Sequence, residues 1–404
     1  MSFNSSTNNS CTNLRPAASA DWNWPWWPIV PLYPYGQRRT LAREIIPDRL
    51  WIFEQIQGIF YVVVPIRMTI VRLETEGLLV YAPIAPTPEC LRSVMALVEK
   101  FGDVRYIIFP TASGLEHKIF VAPFARKFPQ AKLLVVPHTW SFPVNLPLSW
   151  LGLNREQIQI LEPELRSQKV LPREFDFSIL GSISLGLGDF AEVALFHAPS
   201  RSLLVTDALV SIPFDPPEVV QLDPYPLLFH ARDFATETIE DTPENRCKGW
   251  QRIALFAFYF QPHNLKVLPV RQSLFLALQS PDRSRHNYFG FLPWQWTEQW
   301  QRSFLDLHHQ GAVQVAPILQ TLILNRNPQI VERWLREISQ WPIERLIAAH
   351  LTAPISTTPA QLRQAFAFLH EPPPPKPDFA FLQTLNDRFT RWGITPPMSP
   401  GHPN

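Results

Sequence analysis

The chain has few cysteines, only Cys11, Cys90 and Cys247 in 404 residues, and they form no CxxC pair. This argues against a disulfide framework or a structural zinc knuckle and suits a reducing compartment. The first 13 residues, MSFNSSTNNSCTN, also lack the basic start and apolar segment of a secretory signal. We therefore expect a cytoplasmic protein.

Long apolar runs, charge imbalance and phosphate-binding loops are also missing. The strongest apolar run, residues 253–260, is far shorter than the ~20 residues that span a bilayer. The 36 basic and 35 acidic residues give a net charge of +1 and no general attraction to nucleic acid. No Gly-rich phosphate loop or Gly-x-Ser-x-Gly elbow occurs, so we expect no nucleotide cofactor and no nucleic-acid partner.

The chain is rich in proline, with 43 residues beside only 14 glycines, and it contains 14 tryptophans. Residues 1–20 are polar and predict disorder. An arm of residues 22–39 follows, rich in Trp and Pro from Trp22 onward. It could contact a membrane peripherally, with Arg38 and Arg39 at lipid phosphates. We prefer an arm packed on the domain surface, because no amphipathic helix carries these rings.

The next part predicts a sheet covered by helices. Residues 50–81 read as a meander of four strands (51–53, 60–64, 69–73 and 78–81), with a turn at Glu76-Gly77. A helix over 87–101 with Thr87 as N-cap, a buried strand at 104–109, a helix over 118–128 and a strand at 132–136 then give a β-α-β-α-β order.

The second half predicts two further strands, an insertion and a C-terminal helical part. Strands at 191–197 and 201–207 precede residues 211–310, which we interpret as an aromatic-rich helical insertion or lid with helices near 244–260 and 296–310. An amphipathic helix over 328–340 and a last strand at 344–350 complete a main domain of residues 40–355. Residues 356–404 form a C-terminal helical part with a stiff linker of four prolines at 372–375.

Polar residues follow several of these strands. The loop at 111–117 has the frame Thr-His-x-His-x-Asp-His, with Ala112 and Gly114 at the first two histidine positions and Glu116 and His117 at the last two. The order of a meander, this loop, a strand ending in Asp207 and a last strand ending in His350 resembles the metallo-β-lactamase fold. The resemblance implies an α/β fold, an αββα sandwich with the helical insertion added.

The same resemblance implies one metal site of the usual two. The first site is absent, because Ala112 and Gly114 cannot coordinate metal and no histidine lies between His138 and His197. The second site is kept by two imidazoles and two carboxylates, a plausible set for one zinc, iron or manganese ion. A metal-free polar cluster is the alternative, and His197 is expected to be structural. The residues of the second site are Glu116, His117, Asp207 and His350.

More narrowly, residues 40–355 resemble an uncharacterised family of bacteria and plastids, of the cyanobacterial type, known as domain of unknown function 4336. Many members have His-His where this chain has Glu116-His117, and the family implies a fold and a site but no substrate. The residues that carry this resemblance are 67–73, 116–117, 192–197, 200–207 and 348–350.

Two classes of function remain open. One is a single-metal hydrolase in which Asp207, or less favourably Glu116, acts as the catalytic carboxylate that takes a proton from water. The other is a non-catalytic descendant that binds a small molecule or a protein in the old cleft.

Overall fold

The structure, a computed structural model, describes residues 19–28, 30–112, 117–139, 152–153, 155–162, 170–370 and 376–397. Three of the predictions therefore fall wholly or largely outside the described residues: the disorder of residues 1–20, the place of Glu116 and the proline linker at 372–375.

The first sheet has seven strands in sequence order, antiparallel from β1 to β4 and parallel from β4 to β7. The predicted meander is present with three strands instead of four over residues 50–81, because residues 60–64 and 69–73 belong to one strand. Pro65 does not interrupt that strand. The strand β4 pairs only with Thr69–Arg72, so no strand lies on that side of Pro65 and its missing N–H costs no hydrogen bond there. The strands are β1 (Leu41–Ile46), β2 (Leu50–Ile59), β3 (Val62–Arg72), β4 (Leu78–Tyr81), β5 (Val104–Phe109), β6 (Lys132–Val135) and β7 (Ile158–Ile160).

Two helices cover the outer face of this sheet. Helix α1 (Pro88–Phe101) begins as predicted, where Thr87 Oγ1 accepts the N–H of Cys90 and Pro88 occupies the first turn. Helix α2 (Lys118–Ala125) begins after His117 and ends three residues before the predicted boundary.

The second sheet has five strands in the order β14-β13-β10-β9-β8. Strands β10 and β13 are parallel, and the other pairs are antiparallel. Strands β9, β10 and β13 were predicted, whereas β8 and the two-residue β14 were not. The strands are β8 (Phe175–Ser184), β9 (Asp189–His197), β10 (Ser202–Val205), β13 (Arg345–Ala348) and β14 (Ile355–Ser356).

The two sheets pack face to face between helical layers. Alternate residues of β4 show the arrangement: Leu79 and Tyr81 join a core shared with the second sheet, whereas Leu78 and Val80 pack against α1 and α2. The outer face of the second sheet is covered by α9 (Pro328–Ile338) and α10 (Pro359–Ala365). The predicted αββα sandwich is confirmed by this layering.

The segment between β10 and α9 is mainly helical and has its own aromatic core. That core includes the buried Trp250, Val63 in β3 and Tyr61 just before that strand, so the insertion packs directly on the first sheet. Its elements are α3 (Glu218–Gln221), α4 (Tyr225–Ala231), α5 (Pro243–Tyr259), β11 (Leu265–Val267), α6 (Val270–Leu278), β12 (Trp294–Trp296), α7 (Trp300–His308) and α8 (Pro317–Leu322).

Both ends of the described chain lie against this body. In the N-terminal arm, Trp24 is buried edge-on against Phe120, and Arg38 donates to the carbonyl of Ile56. The C-terminal helix α11 (Ala380–Arg391) is tied through Asn386, whose side-chain oxygen accepts from Arg326. No helix of the described segments is long and apolar enough to cross a membrane.

Candidate metal centre

Two of the predicted ligands meet because β10 and β13 run parallel and in register. Val205 pairs with Ala348, so Asp207 and His350, each two residues further on, leave the sheet at the same edge. His350 Nε2 lies 3.1 Å from Asp207 Oδ1. The His117 ring, at the start of α2, lies 6.2 Å from the His350 ring between centroids. Three of the four predicted residues therefore converge, and Glu116 lies outside the described residues.

Each histidine is held by a backbone carbonyl through its Nδ1 atom. The distance is 3.0 Å from His117 Nδ1 to the oxygen of Pro83 and 2.9 Å from His350 Nδ1 to the oxygen of Pro65. A carbonyl oxygen can only accept, so we assign the N–H to Nδ1 in both rings. This leaves Nε2 directed at the site, the arrangement usual for metal-binding histidines.

His117 presents a buried lone pair. Burial, with the nearby His350 adding to it, lowers the pKa of His117 to about 4, so its ring is neutral at pH 7. With the proton on Nδ1, Nε2 can only accept, and no donor reaches it from the described residues. A buried acceptor without a donor is costly unless a cation or a ligand group meets it.

The contact between His350 and Asp207 also requires a cation. If His350 is neutral, its Nε2 and the Asp207 carboxylate are both acceptors, and at 3.1 Å they repel. A cation shared by the two atoms removes this repulsion, and that cation is either a proton, which makes an imidazolium–carboxylate pair, or a metal ion.

Glu192 fixes the loop that carries Asp207, a role that the sequence did not predict. Its fully buried carboxylate accepts the backbone N–H groups of Thr206, Asp207 and Ala208 at 2.6, 2.9 and 2.9 Å. Burial raises the pKa of Glu192, the Asp207 charge raises it further, and the N–H bonds oppose the shift. The available sequence signal was one carboxylate inside the apolar run of residues 190–196 in β9.

Arg67 fixes the loop that carries His350. Its buried guanidinium donates to the carbonyls of Ala348 and Leu351 and pairs with Glu54. The loop backbone on both sides of His350 is thus bound to β3, the strand whose Pro65 holds the His350 ring.

The positions of the missing first site are unsuited to metal. Ala112 is buried in the core between the sheets, and its N–H donates to Ala191 O at 2.8 Å. His197 pairs with Ser202 at the opposite end of β10 from Asp207, and its Nδ1 lies 2.7 Å from Ser200 Oγ. His197 therefore lies away from Asp207, as the sequence predicted, and takes no part in the candidate site.

The donor chemistry fits a metal ion, through the unpartnered Nε2 of His117 and the acceptor pair of His350 and Asp207. Within the described segments, however, no three His, Cys, Asp or Glu side chains are grouped closely enough to hold one.

The family model described as domain of unknown function (DUF4336) matches residues 47–368. The chain therefore belongs to that family, as its sequence indicated. No curated protein matches the chain.

Several solved structures are similar at low identity. The metallo-β-lactamase FIM-1 from Pseudomonas aeruginosa, in a mono-zinc form, is 11% identical over 41% of this chain and 67% of its own, with a TM-score of 0.30. The metal-soaked Flv1 flavodiiron core from Synechocystis is 10% identical over 83% and 62%, with a TM-score of 0.39. A flavoprotein from Thermotoga maritima is 8% identical over 82% and 61%, with a TM-score of 0.41. This chain thus spans less than two-thirds of the length of the last two proteins. Similarity at this level gives no information about the activity of this chain.

Proposed function

We propose that this protein binds one transition metal ion, zinc, iron or manganese, and uses it in a hydrolytic reaction. His117, Asp207 and His350 would hold the ion, and Glu116, next to His117 in the chain, would be the fourth ligand. The observation that carries the proposal is the position of the buried, donor-free Nε2 of His117, whose ring lies 6.2 Å from that of His350 between centroids. The adjacent acceptor pair of His350 and Asp207 supports it.

The residues of the site would have different roles in the reaction. A metal ion here would lower the pKa of a bound water and polarise a carbonyl or phosphoryl oxygen of a substrate. In an alternative arrangement Asp207, whose side chain is 26% exposed, does not coordinate the ion but instead takes the proton from the attacking water. Glu192 and Arg67 are positioning residues that hold the backbone on either side of the site.

The test is the metal content of protein purified without added metal. We expect about one equivalent of a transition metal, and its loss in His117→Ala and His350→Ala, since each removes one imidazole ligand. The matched control is His263→Ala on the surface of the insertion, which keeps the full content. Hydrolysis of an activated ester and of a phosphodiester is then measured for the proteins with and without metal.

The opposite outcome favours the alternative, a non-catalytic ligand- or protein-binding descendant of the fold. This alternative is supported by the observation that the described ranges contain no group of three potential metal ligands. Metal-free protein whose unfolding is unchanged by a chelator, together with no loss on substituting either histidine, would replace the hydrolase proposal with this one.

A further inference from the structure

A second polar cavity lies in the helical insertion, outside the candidate metal centre. It has a volume of about 210 Å³ and is walled by the apolar side chains Leu228, Phe229 and Ile239. Ligand pockets for drug-sized molecules run from about 300 Å³ upward, so this cavity suits a smaller molecule.

Two buried side chains on this cavity have unmet hydrogen-bonding atoms. Arg232 is only 8% exposed, its Nε donates to Phe229 O at 3.4 Å, and its Nη2 has no acceptor within the described chain. Asn287 is 2% exposed, its amide nitrogen donates to Asp282 O at 2.6 Å, and its Oδ1 meets no described donor. The cavity thus has one cationic donor and one acceptor that are both buried and unmatched.

Two carboxylates complete the lining. Glu237 accepts the N–H of Asp233 at 2.7 Å with one oxygen, and Asp282 accepts the N–H of Ser284 at 2.8 Å with one oxygen. With Arg232 the lining carries one positive and two negative charges, so a simple anion would meet a net negative wall, and a simple amine would leave the Arg232 Nη2 donor buried and unmatched.

We propose that this cavity binds a free α-amino acid with an apolar side chain. The carboxylate would accept from Arg232, the ammonium group would face Glu237, Asp282 and the oxygen of Asn287, and the side chain would lie on the apolar wall. Such a zwitterion satisfies every unmatched group at once.

Calorimetric titration of the full-length protein with L-leucine, its deaminated analogue 4-methylpentanoate and its decarboxylated analogue 3-methylbutylamine tests the charge requirement. We expect L-leucine or another apolar amino acid of the common set to bind, and both analogues to bind at least tenfold more weakly. Equal binding of either analogue, or no binding by any apolar amino acid at millimolar concentration, would overturn the proposal.

Variants locate the binding. Arg232→Gln should weaken it at least tenfold, and Thr238→Trp, which fills the cavity from an exposed position, should abolish it without disturbing the buried arginine. The control is Arg283→Gln, an exposed arginine outside the lining. Binding that survives both cavity variants would place the ligand elsewhere and refute the assignment.

An independent observation concerns the outer face of α6. Val270 and Leu278 are 67% and 70% exposed, and Leu274 and Phe275 are more than half exposed, whereas the buried side of this helix carries Ser273 and Ala277. Monomeric soluble proteins rarely expose such a contiguous apolar patch without an interaction to explain it.

The charges beside this face indicate what it meets. Residues 261–291 contain four basic side chains and one acidic side chain, although the whole chain is nearly neutral. An exposed apolar stripe with basic flanks is the pattern of helices that lie in the surface of an anionic membrane. The exposed basic residues are Lys266, Arg271, Arg283 and Arg285, and the acidic one is Asp282.

We infer that α6 binds the surface of an anionic lipid bilayer. Co-sedimentation with vesicles of phosphatidylglycerol and phosphatidylcholine should capture the protein, whereas pure phosphatidylcholine vesicles should capture at least fivefold less. Replacing Leu274 and Leu278 together by Gln should remove the binding, and Met95→Gln, a half-exposed apolar residue on α1, should not.

Three results would overturn this inference. The first is absence of binding to anionic vesicles. The second is a dimer in solution that the Leu274 and Leu278 replacement dissociates, which would make the face a contact between two copies. The third is binding lost on replacing Trp26 and Trp27 but kept in the α6 variant, which would assign the membrane contact to the N-terminal arm.

Discussion

His350 Nε2 and Asp207 Oδ1 lie 3.1 Å apart although 142 residues separate them in the sequence, and neither atom can donate when His350 is neutral. Their approach depends on the parallel pairing of β10 with β13 and on two carbonyls, one holding the His350 ring and one accepting from the arginine that fixes its loop. The chemistry of the site therefore depends on whether a proton or a metal ion lies between these two atoms.

Asp207→Asn tests that cation directly. An amide can donate to Nε2, so the pair becomes a hydrogen bond that needs no cation, and the metal loses a charged ligand. We expect the metal content to fall well below one equivalent, while the free energy of unfolding in chelator rises by about 1 kcal/mol over the wild type. Metal analysis and urea unfolding measure both quantities. Full metal content in this variant, with Asp103→Asn as the exposed control, would exclude Asp207 as a ligand.

Glu192→Gln should destabilise the protein and displace Asp207. The amide keeps one acceptor oxygen and turns an NH2 group toward backbone N–H donors, so at least one of three charge-assisted bonds is lost. We expect a loss of about 2 kcal/mol in the free energy of unfolding, measured by urea denaturation. Glu99→Gln, an exposed change on α1, should cost less than about 0.5 kcal/mol. Equal stability of the two variants would remove the assigned role of Glu192.

Arg67→Met should be among the most damaging substitutions, because it leaves the carbonyls of Ala348 and Leu351 without their donor and weakens the pairing of Glu54. Breaking a buried ion pair costs about 3–5 kcal/mol, and we expect a loss of that size in urea unfolding. The matched change Arg333→Met on the exposed side of α9 should be nearly silent. A loss under about 1 kcal/mol for Arg67→Met would contradict the proposed anchoring of the His350 loop.

His230 predicts a pH dependence separate from the metal centre. Burial lowers the pKa of this histidine to about 3, and its Nε2 donates to Phe60 O at 3.2 Å. The folded pKa is below the unfolded one, so the stability from neutral His230 is complete above about pH 6.5 and is lost as the pH falls from there toward 3.

Comparison with His230→Phe isolates this contribution. Between pH 7 and 4.5 the wild type should lose about 2–3 kcal/mol more unfolding free energy than the variant, whose ring cannot titrate. Urea unfolding across this range, with His263→Phe as the exposed control, measures the difference. Parallel pH profiles for the wild type and His230→Phe would show that His230 is not held neutral.

Most of the fold could be predicted from local sequence patterns. The Thr87 cap, the apolar strands β2 to β6 and the amphipathic α9 each have a local signal and were predicted near their observed places, whereas β1 and β7 of the first sheet were not predicted. Strand β14 could not be predicted, because two residues become a strand only by pairing with β13. The continuity of β3 through Pro65 depends on how far β4 extends beside it, which is also a property of the sheet.

By itself, the sequence determined the types of side chain available and their order. It also excluded the histidine ligands of the first metal site, since Ala112 and Gly114 carry no side-chain donor. Only the tertiary structure decided which groups meet. The register of β10 on β13 joined Asp207 to His350, and burial made the Nε2 atom of His117 a neutral, unmatched acceptor. Glu192 acquired its role through backbone groups at the end of the next strand, and Arg67 through backbone groups far away in the chain. The reason is that hydrophobic periodicity is a property of neighbouring residues, whereas register and desolvation depend on residues from different elements of the fold.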